Sequence, residues 1–187
     1  MKHPYTIGIA GGSASGKSTL TARLMQDLSD LRLAVLHMDD YFKPESDRPV
    51  SAGPANGKLY MDDNHPLTMD LPRFVADLAQ LQNGEYDAII AEGLLVLWDD
   101  SIYNLLDLKL FVDCRPDERI VRRLRRNMGW GLSFDEISDV YLGLVRYRHD
   151  EYVEPSKWRA DMILNGSIHS ERAIALIESD IRNHINS

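Results

Sequence analysis

Eight residues near the amino terminus, Gly11-Gly12-Ser13-Ala14-Ser15-Gly16-Lys17-Ser18, with Thr19 behind them, have the types and spacing that grip phosphate. They satisfy the pattern G-x-x-x-x-G-K-[ST]. Glycines let the backbone curl until successive N–H groups point inward at phosphate oxygens, with no Cβ in the way. A helix opening near Lys17 adds the positive end of its dipole. In this pattern the lysine reaches the β- and γ-phosphates and the serine hydroxyl ligates the metal, so ATP and Mg2+ are the expected partners of Gly12 through Thr19. The context fits, because the motif follows an apolar strand, Tyr5–Ala10, and begins a helix. GTPases, ATPases and motors share the motif. The chain has no Asn-Lys-x-Asp and no Leu-Ser-Gly-Gly, and 187 residues are too few for motor machinery. Small-molecule kinases remain.

Ligands of open α/β sheets bind beyond the carboxyl ends of the strands, so acids at those ends are weighed next. Asp39 follows the second apolar run, with Asp40, Tyr41 and Phe42 behind it. A carboxylate there can orient an attacking hydroxyl, take its proton and approach a metal. The alternative is an acid that merely opens a loop. Glu92 ends the third strand before Gly93 and suits magnesium, which keeps several waters and takes few protein oxygens. Its alternative is a capping or surface acid. Asp113 competes but leads through Cys114 straight into a helix cap.

Arg119, Arg122, Arg123 and Arg126 recur at i, i+3, i+4 and i+7 and share one helical face, with Ile120, Val121 and Leu124 on the other. Such a stripe can clamp transferring phosphates as a lid closes, with Gly129 and Gly131 as hinges, or it can be a solvated face paired with Asp117 and Glu118. Trp130 sits between the glycines, placed to cover a substrate ring or to anchor the loop.

The elements that must position these groups alternate strand and helix, which predicts an α/β fold around a mainly parallel sheet. Strands are expected at Tyr5–Ala10, Leu33–Met38, Ala88–Ala91, Leu108–Asp113 and Ala160–Leu164. Helices are expected from Lys17 to about Leu28, from Asp70 as cap to about Leu81, and from Pro116 to about Asn127. A longer one runs from a Ser133/Glu136 capping box toward Tyr152, stopped by Pro155, and a last one starts at Glu171. Asp40 to Pro66 is rich in Pro, Gly, Asp and Asn and reads as one long functional loop. No repeat or second domain boundary is visible, so 1–187 is read as one domain, with a substrate loop at about 40–66 and a lid at about 116–135.

Composition sets the outer limits. Hydrophobic residues make up 44% and charged residues 27%, a globular balance. A formal net charge of -8 argues against general nucleic-acid binding. Cys114 is the only cysteine, so no internal disulfide can form, and its place after an apolar run suggests a small buried residue. Beyond Lys2 the amino terminus shows no signal-type apolar core, and no run reaches the length of a membrane span. The expectation is a cytoplasmic protein without nucleic-acid or membrane partners.

Five segments taken together, GGSASGKST (11–19), MDDYFKPES (38–46), DDNHPLTMD (62–70), AEGLLVL (91–97) and YVEPSKWRADMILNG (152–166), resemble the uridine kinase and nicotinamide riboside kinase family. The resemblance implies a P-loop kinase fold, a three-layer sandwich with a five-stranded parallel sheet and a helical lid. It implies that Asp39 is the catalytic base, that Lys17 and Ser18 serve phosphate and magnesium, and that Glu92 holds the matching acidic position. Arg122, Arg123 and Arg126 would contact phosphates, and Asn165, Gly166 and Ser167 would lie near the adenine. The acceptor would be a small, nucleoside-like alcohol.

Two departures stand out. Family members place an aspartate, which binds the ribose diol, just before the His-Pro pair, whereas Asn64 precedes His65-Pro66 here and Asp63 lies one place earlier. Either Asp63 substitutes or the acceptor is not an ordinary ribonucleoside, and His65 is either a substrate contact or a structural loop residue. The tyrosine- and histidine-bearing hairpin that uridine kinases insert before the Glu-Gly strand has no room between Leu81 and Ala88. This weakens a uridine or cytidine assignment and brings the chain nearer to nicotinamide riboside kinases. Other readings are a kinase for a different small alcohol, such as pantothenate or a sugar phosphate, and an ATP-binding regulator without transfer.

Overall fold

Successive side chains of a strand point to opposite faces, so a sheet buried on both sides needs apolar residues at nearly every position. The seven residues YTIGIAG meet that demand, and all are buried in a computed structural model that describes residues 3–168 and 170–186. Lys2 lies outside the described residues. Along the chain run β1 (Tyr5–Gly11), α1 (Lys17–Asp27), β2 (Leu33–His37), β3 (Val50–Ala52), β4 (Leu59–Met61), α2 (Leu71–Gln82) and β5 (Ala88–Glu92). There follow α3 (Asp100–Tyr103), β6 (Leu108–Asp113), α4 (Pro116–Gly129), α5 (Phe134–Val140), α6 (Arg146–Arg148), β7 (Met162–Asn165) and α7 (Glu171–Asn186).

Five strands form one parallel sheet in the order β2-β5-β1-β6-β7. Ile7, Ile9, Ile90 and Leu110 turn one way, against Leu20 and Leu24 of α1 and Ile174, Ile177 and Ile181 of α7. Ala10, Leu36, Ile89, Ala91 and Phe111 turn the other way, against Phe74 and Leu78 of α2 and the segment Leu95–Leu97. The result is the expected three-layer sandwich of a P-loop kinase. Parallel register brings His37 of β2 and Ile9 of β1 level with Glu92 of β5, so the turns after β1 and β2 and the end of β5 meet at one edge.

Local signals placed the helices well. Asp70 caps α2 by accepting from the Arg73 amide at 3.2 Å, and the Ser133/Glu136 capping box is present in both halves. From α5 the helical run continues through wide π turns at Tyr141–Val145 and His149–Val153 on either side of α6, then tightens into a 3-10 turn over Glu154–Arg159, which contains Pro155. The second strand ends at His37 because Met38–Tyr41 tightens into a 3-10 turn, α4 runs on to Gly129, and the last strand is displaced to Met162–Asn165.

The stretch 40–66 departs most from expectation, because it is not a featureless loop. It contains the antiparallel β3–β4 hairpin, with Val50 opposite Met61 and Ala52 opposite Leu59. Each strand has three residues, too few to show a period, and Val50, Leu59 and Met61 are exposed while only Tyr60 of β4 is buried. Such a hairpin is marginal by itself and is held by what it docks against. The short helix α3 also went unread.

Phe74 is fully buried, and its ring meets that of Tyr41 edge-on with centroids 5.0 Å apart. This contact ties α2 to the turn that carries Asp39. Phe74→Ala is expected to lower the unfolding free energy by roughly 3–5 kcal/mol. Urea melts measure this, and a loss below about 1 kcal/mol would show that the face is not closed at that point.

Candidate active site

The turn between β1 and α1 has the curled backbone that its glycines permit. Gly11, Ala14 and Gly16 have φ of 148°, 61° and 109°. Gly16 stands at the head of α1, where a side chain would be strained. Ala14 holds a left-handed conformation despite its Cβ, which is strain of the kind stored at binding sites. Lys17 is buried, and its Nζ donates to the Gly12 carbonyl at 3.2 Å. It forms no ion pair among the described residues. Burial pulls the ammonium pKa down, while Glu92 and Asp39 pull it back up. Ser15 Oγ and Arg123 Nε are buried without hydrogen-bond partners. A cradle of unfilled donors around a buried cation fits a polyanion.

The metal test gives a matching answer. Ser18 Oγ donates to Glu92 Oε1 at 2.9 Å, and His37 Nδ1 lies 2.9 Å from Glu92 Oε2. Two hard oxygen donors at the phosphate cradle suit magnesium, whose other positions go to water and phosphate. Among the described residues no group of three His, Cys, Asp or Glu could hold a metal by itself.

The arginine face of α4 lies over this turn. Arg123 Nη1 and Arg126 Nη2 both donate to Ser13 Oγ, at 3.0 and 3.3 Å, and the Arg126 guanidinium also lies 5.0 Å from the Trp130 ring centroid. Burial and the neighbouring Arg126 lower the Arg123 pKa, the mark of a cation short of counter-charge. Arg122 instead reaches the Gly166 carbonyl at 2.9 Å. Arg119, which the stripe grouped with these, is buried and bonds the Cys114 carbonyl at 3.0 Å.

One cavity of about 910 Å³ collects most of the expected residues. Its phosphate end is lined by Ser13 through Thr19, Glu92, Arg122, Arg123 and Arg126. It is also lined by Asp39, Phe42, Asp63, Asn64 and Trp130, together with residues that the sequence did not mark as part of a site: Leu94, Leu132, Glu136, Ile137 and Val140. Asp39 is exposed to it. Asp63 pairs with Arg48 at 3.2 Å and stays half exposed, whereas Asn64 is buried. The α5 residues are brought in by tertiary folding, so their spacing predicted a capped helix but no place in the cavity.

Several expected residues lie elsewhere. Asp40 and Tyr41 do not line the cavity; Tyr41 is buried, donates to Asp77 at 2.8 Å and has its pKa pushed up to about 12 by burial and Asp77. His65 also lies outside, where its Nδ1 accepts from the Leu67 amide at 3.1 Å and its ring meets Tyr152 edge-on. Gly12 is buried behind the cradle against Arg119. Asp113 turns toward Lys157 at 3.4 Å, away from Ser18. Asn165 lines an adjoining cavity of about 900 Å³ that shares Ser167 with the first. Its Oδ1 accepts from the Ser167 amide at 2.8 Å. Gly166 lines neither cavity but backs onto the phosphate turn, since a Cβ there would overlap the Ser15 carbonyl.

The sequence model of the phosphoribulokinase/uridine kinase family matches residues 69–171. A uridine kinase of Geobacillus kaustophilus is 34% identical over 205 aligned positions, which cover 97% of this chain and 95% of that protein. One from Lactococcus lactis is 30% identical over 210 positions, covering all of both. Among solved structures, D-glycerate 3-kinase from Cryptococcus neoformans superposes with a TM-score of 0.60 at 14% identity, covering 89% of this chain and 88% of that one, a likeness of fold. With a family model matched over more than half its length and relatives a third identical from end to end, the chain belongs to the phosphoribulokinase/uridine kinase family, whose uridine kinases use ATP with magnesium.

Proposed function

We propose that the protein transfers the γ-phosphate of ATP to a hydroxyl group of a small, nucleoside-like acceptor, with Asp39 as the base. The observation that carries this reading is the single cavity with Lys17 and the phosphate turn at one end and Asp39 facing the same space. The backbone amides of residues 13–18, Lys17, Arg123 and Arg126 hold the triphosphate and offset the charge that builds on the transferring group. Ser18 and Glu92 would hold magnesium, which when bound would supply further positive charge to the phosphates. Asp39 orients the acceptor hydroxyl and takes its proton as the new O–P bond forms and the bond to the departing ADP breaks.

The acceptor end favours a ribosylated ring. Phe42, Trp130, Leu132, Ile137 and Val140 offer apolar surface to a flat ring, and the Asp63–Asn64 edge offers an acceptor-only carboxylate beside a neutral amide for hydroxyls. α2 passes to β5 through a short turn over residues 83–87, so no ring-reading insertion stands there. The alignments to uridine kinases also run longer than this chain's 187 residues. The reading is therefore a riboside-like acceptor whose base is gripped less specifically than by an inserted hairpin. We take 1–187 as one domain whose lid, about 116–135, turns on Gly129 and Gly131. Both glycines have open space around them, and Gly131 has φ of 93°.

Three measurements test this. ADP release should be fast with one or more ribosides and slow with pantothenate or pentose phosphates, and turnover solely on a non-ribosylated alcohol would refute the acceptor class. Asp39→Asn is expected to lower kcat by about 100-fold or more while ATP affinity stays within about twofold, and unchanged turnover would remove Asp39 from its role. Lys17→Ala should weaken ATP binding and transfer together, since the buried positive charge at the phosphates is lost. Titration with ATP under turnover checks this, and normal affinity and rate would contradict the cradle.

A further inference from the structure

The hairpin inside the stretch 40–66 is fastened to the helical run after the lid by contacts that the transfer step does not use. Asp62 is fully buried, directly before Asp63 and Asn64 of the cavity wall, and its Oδ2 accepts from Arg148 Nε at 2.7 Å. The same guanidinium reaches Ser51 Oγ of β3 at 3.1 Å. Tyr60 Oη of β4 accepts from Asn56 at 2.8 Å and donates to Asp139 of α5 at 3.2 Å, and Lys58 pairs with the same carboxylate. The surfaces close because Gly143 has no side chain. A Cβ there would stand 2.6 Å from Tyr60 Cζ, and one on Gly53 would stand 2.8 Å from the Gly143 carbonyl.

The wide turns make this possible. Nine residues separate Asp139 from Arg148, about two and a half turns of regular α-helix, which would put them on opposite sides. The π turn Tyr141–Val145 lies between them and winds less per residue, so Arg148 comes round toward the face that Asp139 presents to the hairpin. Maintaining two non-α turns and a buried ion pair costs stability, and such features persist where they position something. What lies directly beyond the fastening on both sides is the acceptor end of the cavity: Asp63 and Asn64 from the hairpin side, Ile137 and Val140 from α5.

We propose that Asp62, Arg148 and Tyr60, packed at Gly143, are positioning residues for the acceptor. They act as a buckle that fixes the distance between the hydroxyl-binding edge and the apolar wall. This rests on the reading of the cavity as an acceptor site. The buckle does not touch the phosphate turn, so its loss separates acceptor recognition from ATP recognition.

The test compares Arg148→Met, Asp62→Asn and the milder Tyr60→Phe with Ile181→Ala, a cavity-forming control in the opposite layer, using the acceptor found in the screen. The buckle variants should raise acceptor KM on the order of tenfold, Tyr60→Phe least, with ATP KM within about twofold. Ile181→Ala should lower Tm without moving either KM. Acceptor KM unchanged in Tyr60→Phe and in whichever ion-pair variant folds, or both KM values rising together, overturns the proposal. Hydrogen exchange at residues 59–65 gives a reading that needs no turnover. Protection there should fall in all three variants and persist in Ile181→Ala, and unaltered protection refutes the buckle even if no acceptor is phosphorylated.

Discussion

The ammonium of Lys17 is buried at the head of α1, where among the described residues it bonds the Gly12 carbonyl and forms no ion pair with a carboxylate. An interior cation in that position is unfavourable until an anion arrives, and the rest of the fold converges on it. The backbone around it curls through left-handed positions at Gly11, Ala14 and Gly16, α1 begins at the lysine itself, and Arg123 and Arg126 reach in from α4 to Ser13. Positive charge is thus assembled in advance, at the folding stage, where preorganised dipoles and cations act most strongly on a phosphoryl group.

The sheet gives this site its geometry. In parallel register the ends of β1, β5 and β2 fall level, so the phosphate turn, Glu92 and the segment with Asp39 become neighbours although they come from distant parts of the chain. The hydrogen bond between Ser18 and Glu92, 74 residues apart, results directly from that register. Phe74 against Tyr41 then holds the Asp39 turn from behind, and the Tyr41 hydroxyl is taken by Asp77.

The two ends of the cavity are built differently. The phosphate end joins one turn and one helix face, each carried by a contiguous motif or stripe, with Glu92 brought in by the sheet. The wall proposed to receive the acceptor is made of pieces that meet only in three dimensions: a hairpin too short to stand alone, a helical run with two wide turns, and a glycine that lets them touch.

The sequence by itself determined the five parallel strands, the longer helices with the caps at Asp70 and Ser133, the phosphate cradle and the acids at the strand ends, but not α3 or the π turns. Each feature it determined rests on local periodicity, capping chemistry or a contiguous motif, and local forces act between residues near in sequence. Residues 12–19 could be named one by one because a single turn carries them all. Only the tertiary structure decided that Arg119 is buried, that Tyr41 bonds Asp77 and that His65 packs against Tyr152. It also decided that Asp62 pairs with Arg148, and that Ile137 and Val140 face the same space as Asp39. The reason is that π turns and a docked three-residue hairpin have no period of their own, so they exist through burial against partners about 80 residues away in the chain.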